Sequence, residues 1–309
     1  MINQKIVQLF LVKFPILFPT VYGFILYTYP NFEKELILIT ILLFAETHFA
    51  ATWPFFVNKV NYSFISEKKN ELIFLPSLIV LFSIIGFFLF KNLFLLIFFA
   101  ANMFHVTRQS FGVCKLYCKN ILESKFQEYS IYFFNLLFFF IAFFRFYIPL
   151  IKIEHLQLLN IFVLMLLSIF FIYYILKFKL SQNLLVFITG CIIFFPVCFV
   201  ENPVHAIIMG VTMHYTQYLY LTNYVYKSRK IENKSTNLKF FRYFLIIIIY
   251  ALIMTFFSYF GKYEGSLLKN LIIIPILGQM LHFYLDSQLW KFSIKHNRDN
   301  ILKHLHQII

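Results

Sequence analysis

The stretch 157–176, QLLNIFVLMLLSIFFIYYIL, is twenty consecutive residues without a formal charge. A helix rises about 1.5 Å per residue, so ~20 such residues match the ~30 Å hydrocarbon core of a bilayer. A transmembrane barrel strand would instead alternate apolar and polar residues over ~10 positions. This run does not alternate, so it reads as a membrane-spanning helix. Comparable runs lie at approximately 6–28, 35–56, 71–90, 93–114, 130–150, 182–200, 203–226, 243–261 and 270–290. The expectation is an all-α fold: one polytopic integral membrane domain over 1–309, a bundle of about ten transmembrane helices. A short cytoplasmic tail, about 292–309, would lie on the inner leaflet.

Composition supports this reading. Of 309 residues, 61% are hydrophobic and 13% charged, whereas a soluble domain carries about a quarter charged residues. Forty-five Phe and twenty Tyr need lipid or tight helix packing to cover them. The net charge of +14 sits in the connections between apolar runs and not on a basic soluble face, which argues against nucleic-acid binding. The N-terminus, the loops after the second, fourth, sixth and eighth runs, and the tail hold 19 Lys and Arg; the opposite connections hold five. That bias predicts both termini in the cytoplasm, in the cell (inner) membrane. The segment 227–242 is the most basic loop. Lys5 precedes an apolar run without a small-residue cleavage site, as in a retained first helix. Cys114, Cys118, Cys191 and Cys198 form no CxxC pair and read as packing residues.

The functional signal lies in the ionisable groups, because a charged group deep in a bilayer costs about 2.5–3.5 kcal/mol on insertion scales. His48, His105, His214 and His282 fall at middle depth in the second, fourth, eighth and tenth runs. They lie 14 residues past Lys34, 14 past Lys91, 13 past Glu201 and 13 past Lys269, respectively. This places each imidazole roughly 20 Å below the outer face, at a common level. Asn102, Arg108 and Gln109 share a helix face with His105, as Gln217 and Tyr218 do with His214, and Gln279 and Asp286 with His282. Glu46 and Asp286 are the acids well inside a run. Glu46 sits roughly 200° around the helix from His48, so the two do not readily face one ion.

Imidazoles with a carboxylate suit non-haem iron, as Fe2+, which activates O2. The expected metal set is His48, His105, His214, His282, Asp286 and Glu46, the acids serving as ligands or orienting groups. Tyr218, Gln109, Gln217 and Arg108 are the candidate catalytic residues, positioning O2 or a lipophilic substrate such as a carotenoid, another isoprenoid or an acyl chain. Each has a plainer reading: Gln109 and Gln217 as helix glue, Arg108 as a snorkelling cation. Trp53 and Trp290 read as an inner aromatic belt. His205 lies on the other side of its helix, with an entrance role at most. His155, His296, His304 and His306 read as solvated.

One histidine per helix, and the segment LHFYLD with an acid four residues after His282, resemble the membrane β-carotene dioxygenases of the bacteriorhodopsin-related-protein family. The resemblance implies a histidine-held non-haem iron that cleaves a carotenoid to retinal. The chain departs from that family at Glu46-Thr47-His48, where the family has Pro-His-Gly. It departs again at His214 and Tyr218, where the family has two histidines four apart. Two other readings stay open. Paired histidines clamp a haem b as axial ligands, and Glu46, Arg108 and Asp286 suit a transporter.

Overall fold

A computed structural model describes residues 4–56, 61–179, 182–229, 236–261 and 267–305. His306, Lys262 and residues 230–235 of the basic loop lie outside the described residues. Helices account for nearly all of what is described, without a strand among those residues. A short helix, Gln4–Lys13, is followed by α1 (Leu17–Thr28), α2 (Pro30–Phe56), α3 (Asn70–Leu89), α4 (Lys91–Tyr117) and α5 (Ile121–Tyr147). Then come α6 (Leu156–Phe178), α7 (Gln182–Ile192), α8 (Pro203–Ser228), α9 (Thr236–Phe260) and α10 (Ile273–Leu289).

Each apolar run thus holds a helix, but the expectation of ten crossings needs correction. Among the described residues five helices are long and apolar enough to span a membrane: α2, α3, α5, α6 and the Phe241–Phe260 part of α9. Counting Gln4–Lys13 and α1, which bend by 64°, as one broken span makes six. The others fall short for physical reasons. Helices α7 and α10 have only 11 and 17 residues. Helices α4 and α8 have 27 and 26, but their His, Asn, Gln, Thr and Arg side chains dilute the apolar character. The helices poorest in lipid-facing character include three of the four that carry a middle-depth histidine. On three of these, α3, α6 and α9, Phe82, Leu89, Leu158, Leu176 and Phe256 are exposed, surface that needs lipid around it.

The chain divides into two compact units. The first comprises Met1–Ile37 and Met103–Gln217. Its core is built from Ile131, Phe134, Phe138, Phe187, Ile193 and Phe194, all fully buried. Polar clips fix its helices. Asn135 Nδ2 on α5 donates to the carbonyl of Gly190 on α7 at 3.0 Å, and Thr189 Oγ1 donates to the Lys13 carbonyl at 2.9 Å. Buried Glu123 accepts from Tyr174 and from Asn183, so a buried carboxylate is matched by donors. Helix starts follow their sequence. Asn120 Oδ1 accepts from the backbone N–H groups of Leu122 and Glu123 to open α5, and Asn202 does so for Val204 just ahead of Pro203, the first residue of α8. A Cβ at Gly210 would run into the Ile193 carbonyl, so only glycine lets α8 approach that backbone.

The second unit comprises Leu38–Asn102 and Tyr218–Ile309. Phe87, Phe94 and Ile276 form a buried cluster where α3, α4 and α10 meet. Thr222 and Tyr243 bond at 2.9 Å between α8 and α9. The C-terminal segment folds back: His296 bonds Asn61 at 2.7 Å and stacks on Phe64 with ring centroids 4.2 Å apart. His296, expected to be solvated, is therefore half-buried, because a flat aromatic partner and an amide oxygen are both within reach.

Candidate functional site

In the second unit, the middle of α2 breaks at Ala51 and Thr52, just past His48. Here a chain of hydrogen bonds links α2, α8 and α10. Thr52 Oγ1 lies 2.9 Å from His282 Nδ1 and 2.8 Å from the Tyr218 hydroxyl. Tyr218 donates to Asp286 Oδ1, which also accepts from Trp290 Nε1 at 2.7 Å. A carboxylate only accepts, so the direction of every bond follows from Asp286. Tyr218 spends its proton on Asp286; Thr52 therefore donates to Tyr218, and the Thr52 oxygen accepts from His282 Nδ1–H. The chain fixes His282 in the Nδ1–H tautomer, so Nε2 is the nitrogen through which it would ligate a metal. Orientation of a ligand histidine through its other ring nitrogen is the usual second layer of a metal site.

His48 packs edge-on against this chain, its ring centroid 4.5 Å from both Tyr218 and His282. His48, His282 and Asp286 are each at most 1% exposed. Glu46 is equally buried but is engaged elsewhere, hydrogen-bonded to Gln279. This agrees with its angular offset from His48.

In the first unit, His105 on α4 and His214 on α8 are buried with ring centroids 5.7 Å apart, edge to face. Gln217 Nε2 donates to the Val12 carbonyl at 2.7 Å and so ties α8 to the N-terminal helix. Gln109 is half-buried, while Arg108 is exposed, its charge felt at Tyr132. His205 is bonded to Tyr22 and Glu33.

The second unit thus buries His48, His282 and Asp286, and the first buries His105 and His214, side chains of the types that could hold a metal ion. The donor set fits: imidazole nitrogens and a carboxylate oxygen, without thiolate, suit a first-row metal such as iron.

Thr52 was not singled out from the sequence. It lies four residues after His48, one helical turn on, in the small-residue run Ala50-Ala51-Thr52, and that spacing was its available signal. Trp290 belongs to the hydrogen-bond chain through its indole N–H, beyond the aromatic-belt role expected of it. Trp53 bonds Tyr250.

Comparison with family models, with curated proteins and with solved structures finds no match.

Proposed function

We propose that the protein is a membrane-embedded non-haem iron enzyme that uses O2 to oxidise a lipophilic substrate, with carotenoid cleavage as the narrowest form of that reading. His48, His105, His214 and His282 would hold the metal, with Asp286 as ligand or orienting group. Glu46, bonded to Gln279, has at most a supporting part. The observation that carries the reading is the directed chain from Asp286 through Tyr218 and Thr52 to His282. Any buried histidine needs a hydrogen-bond partner, but this chain also sets the tautomer and holds the ring, as a ligand histidine requires.

Iron in such a donor set supplies the binding and activation of O2. The chain's own residues orient and insulate. Tyr218 and Trp290 hold the Asp286 carboxylate by donating to it, and the rings of His48, Phe49 and Tyr218 keep water from His282. Gln109 is the candidate to orient a substrate or O2, and Gln217 holds α8 against the N-terminal helix. Arg108, exposed, fits a charge at the membrane surface better than one at the reacting centre. The exposed apolar faces of α3, α6 and α9 support residence in lipid, where such a substrate is dissolved. We extend this to α4, α7, α8 and α10 lying within the same membrane, with both termini cytoplasmic, as the lysine and arginine bias supports.

The test is metal analysis of detergent-purified wild type beside His105→Ala and His282→Ala. Iron in the wild type and its loss in both variants are expected. Unchanged metal content in both would overturn the reading, and a Soret band would replace it with haem ligation.

A further inference from the structure

In the first unit, away from the buried histidines described above, three side chains stand in line. The Tyr22 hydroxyl on α1 lies 2.6 Å from His205 Nδ1 near the start of α8. His205 Nε2 lies 2.8 Å from Glu33 Oε1 at the start of α2. The ends of the line differ in exposure: Tyr22 is 4% exposed and His205 2%, while the Glu33 side chain is 46% exposed. Asn202 holds the outer end, donating through Nδ2 to Glu33 Oε1 at 3.3 Å. Tyr22 packs with Leu36 and Met209, so its ring sits among apolar groups.

The carboxylate again sets the direction. Glu33 accepts from Nε2–H, which leaves the Nδ1 lone pair to accept the Tyr22 O–H. A phenol that loses an electron alone becomes a strongly acidic radical cation, so oxidation is eased when a base already holds the proton. Two other buried tyrosines are placed differently. Tyr174 donates to Glu123 and Tyr218 to Asp286, but these carboxylates are buried at 8% and 1% exposure. Tyr22 alone of these three has a base whose other nitrogen faces a half-exposed acid.

We propose that Tyr22, His205 and Glu33 form a redox site in which Tyr22 is a proton-coupled one-electron donor to a high-potential transition-metal oxidant. As the electron leaves Tyr22, its phenolic proton moves to His205 Nδ1. The Nε2 proton moves to Glu33, and Glu33 exchanges it with solvent. The products are a neutral tyrosyl radical, a neutral histidine in the opposite tautomer, a released proton and the oxidant reduced by one electron. Tyr22 is the redox residue; His205 and Glu33 are the proton path. The site stands on its own geometry and does not depend on the iron reading.

The test uses the full chain in detergent after chelator treatment, so its outcome is separate from that of the metal analysis. Photogenerated tris(bipyridine)ruthenium(III) is the oxidant, and the tyrosyl radical is read by freeze-quench electron paramagnetic resonance. With 3-fluorotyrosine at position 22, the expected early radical shows fluorine hyperfine splitting. Its formation is expected to slow several-fold in D2O. Glu33→Gln, which keeps an acceptor oxygen but takes no proton, and His205→Gln are each expected to slow it several-fold. A purely structural clamp would leave those rates unchanged. Absence of fluorine splitting, or an unaltered rate in both variants, overturns the proposal.

Discussion

At the scale of single residues, the hydroxyl of Thr52 has the largest consequence for its size. It passes on the polarity that begins at Asp286, and a threonine is small enough to fit between Tyr218 and His282 at 2.8 and 2.9 Å. Thr52→Val keeps the shape and removes the link. His282 Nδ1–H and the Tyr218 oxygen then lose their shared partner, at a cost of about 1–3 kcal/mol for groups left buried without it. His282 would also lose its preference for the ligating tautomer, so iron affinity should fall about 10–100-fold. Titration of the chelator-treated variant with Fe2+ measures this. Affinity equal to wild type would remove the relay from the account of the site. The same scale shows what spacing can reveal: His282 and Asp286 share a helix face by arithmetic, as the structure finds them. Thr52 lies in a different helix, and its bonds to Tyr218 and His282 are tertiary facts that composition does not carry.

At the scale of elements, the C-terminal segment shows how a tail is held. His296 stacks on Phe64 and gives its Nε2–H to the Asn61 oxygen, while Asn300 Nδ2 approaches its Nδ1 at 3.5 Å. Protonation of Nδ1 would set N–H against N–H. Burial first, and then the Arg229 guanidinium, hold the His296 pKa below its ordinary value, with Glu67 and Asp299 opposing. His304 is lowered by burial, Arg229 and Lys303. Both therefore bind fewer protons docked than undocked. Docking is at full strength above about pH 6.5, the ordinary histidine value, and weakens as pH falls below it. Hydrogen exchange over residues 295–305 should show less protection at about pH 5.5 than at about pH 7.5. The double variant His296→Gln/His304→Gln should flatten that dependence. Equal protection at both values in the wild type would contradict it.

At the scale of the whole molecule, the exposed leucines and phenylalanines of α3, α6 and α9 are the dominant feature, and lipid is the solvent that accommodates them. The chain should stay with the membrane pellet through alkaline carbonate washing and leave it only with detergent; release by carbonate would argue against a spanning protein. The helices and their apolar character were legible in the sequence, because a run of uncharged residues long enough for a bilayer has few other ways to satisfy its backbone. So was the set of buried histidines, since an ionisable group in such a run needs a reason to be there. The number of crossings was less legible, because run length alone does not weigh the polar face that α4 and α8 carry. What only the tertiary structure decided is which groups share protons: Thr52 with His282 and Tyr218, His205 with Tyr22 and Glu33, Gln217 with Val12. Hydrogen bonds are short-range and directional, so a partner 166 or 230 positions away is set by how helices pack and leaves no period in the chain to read.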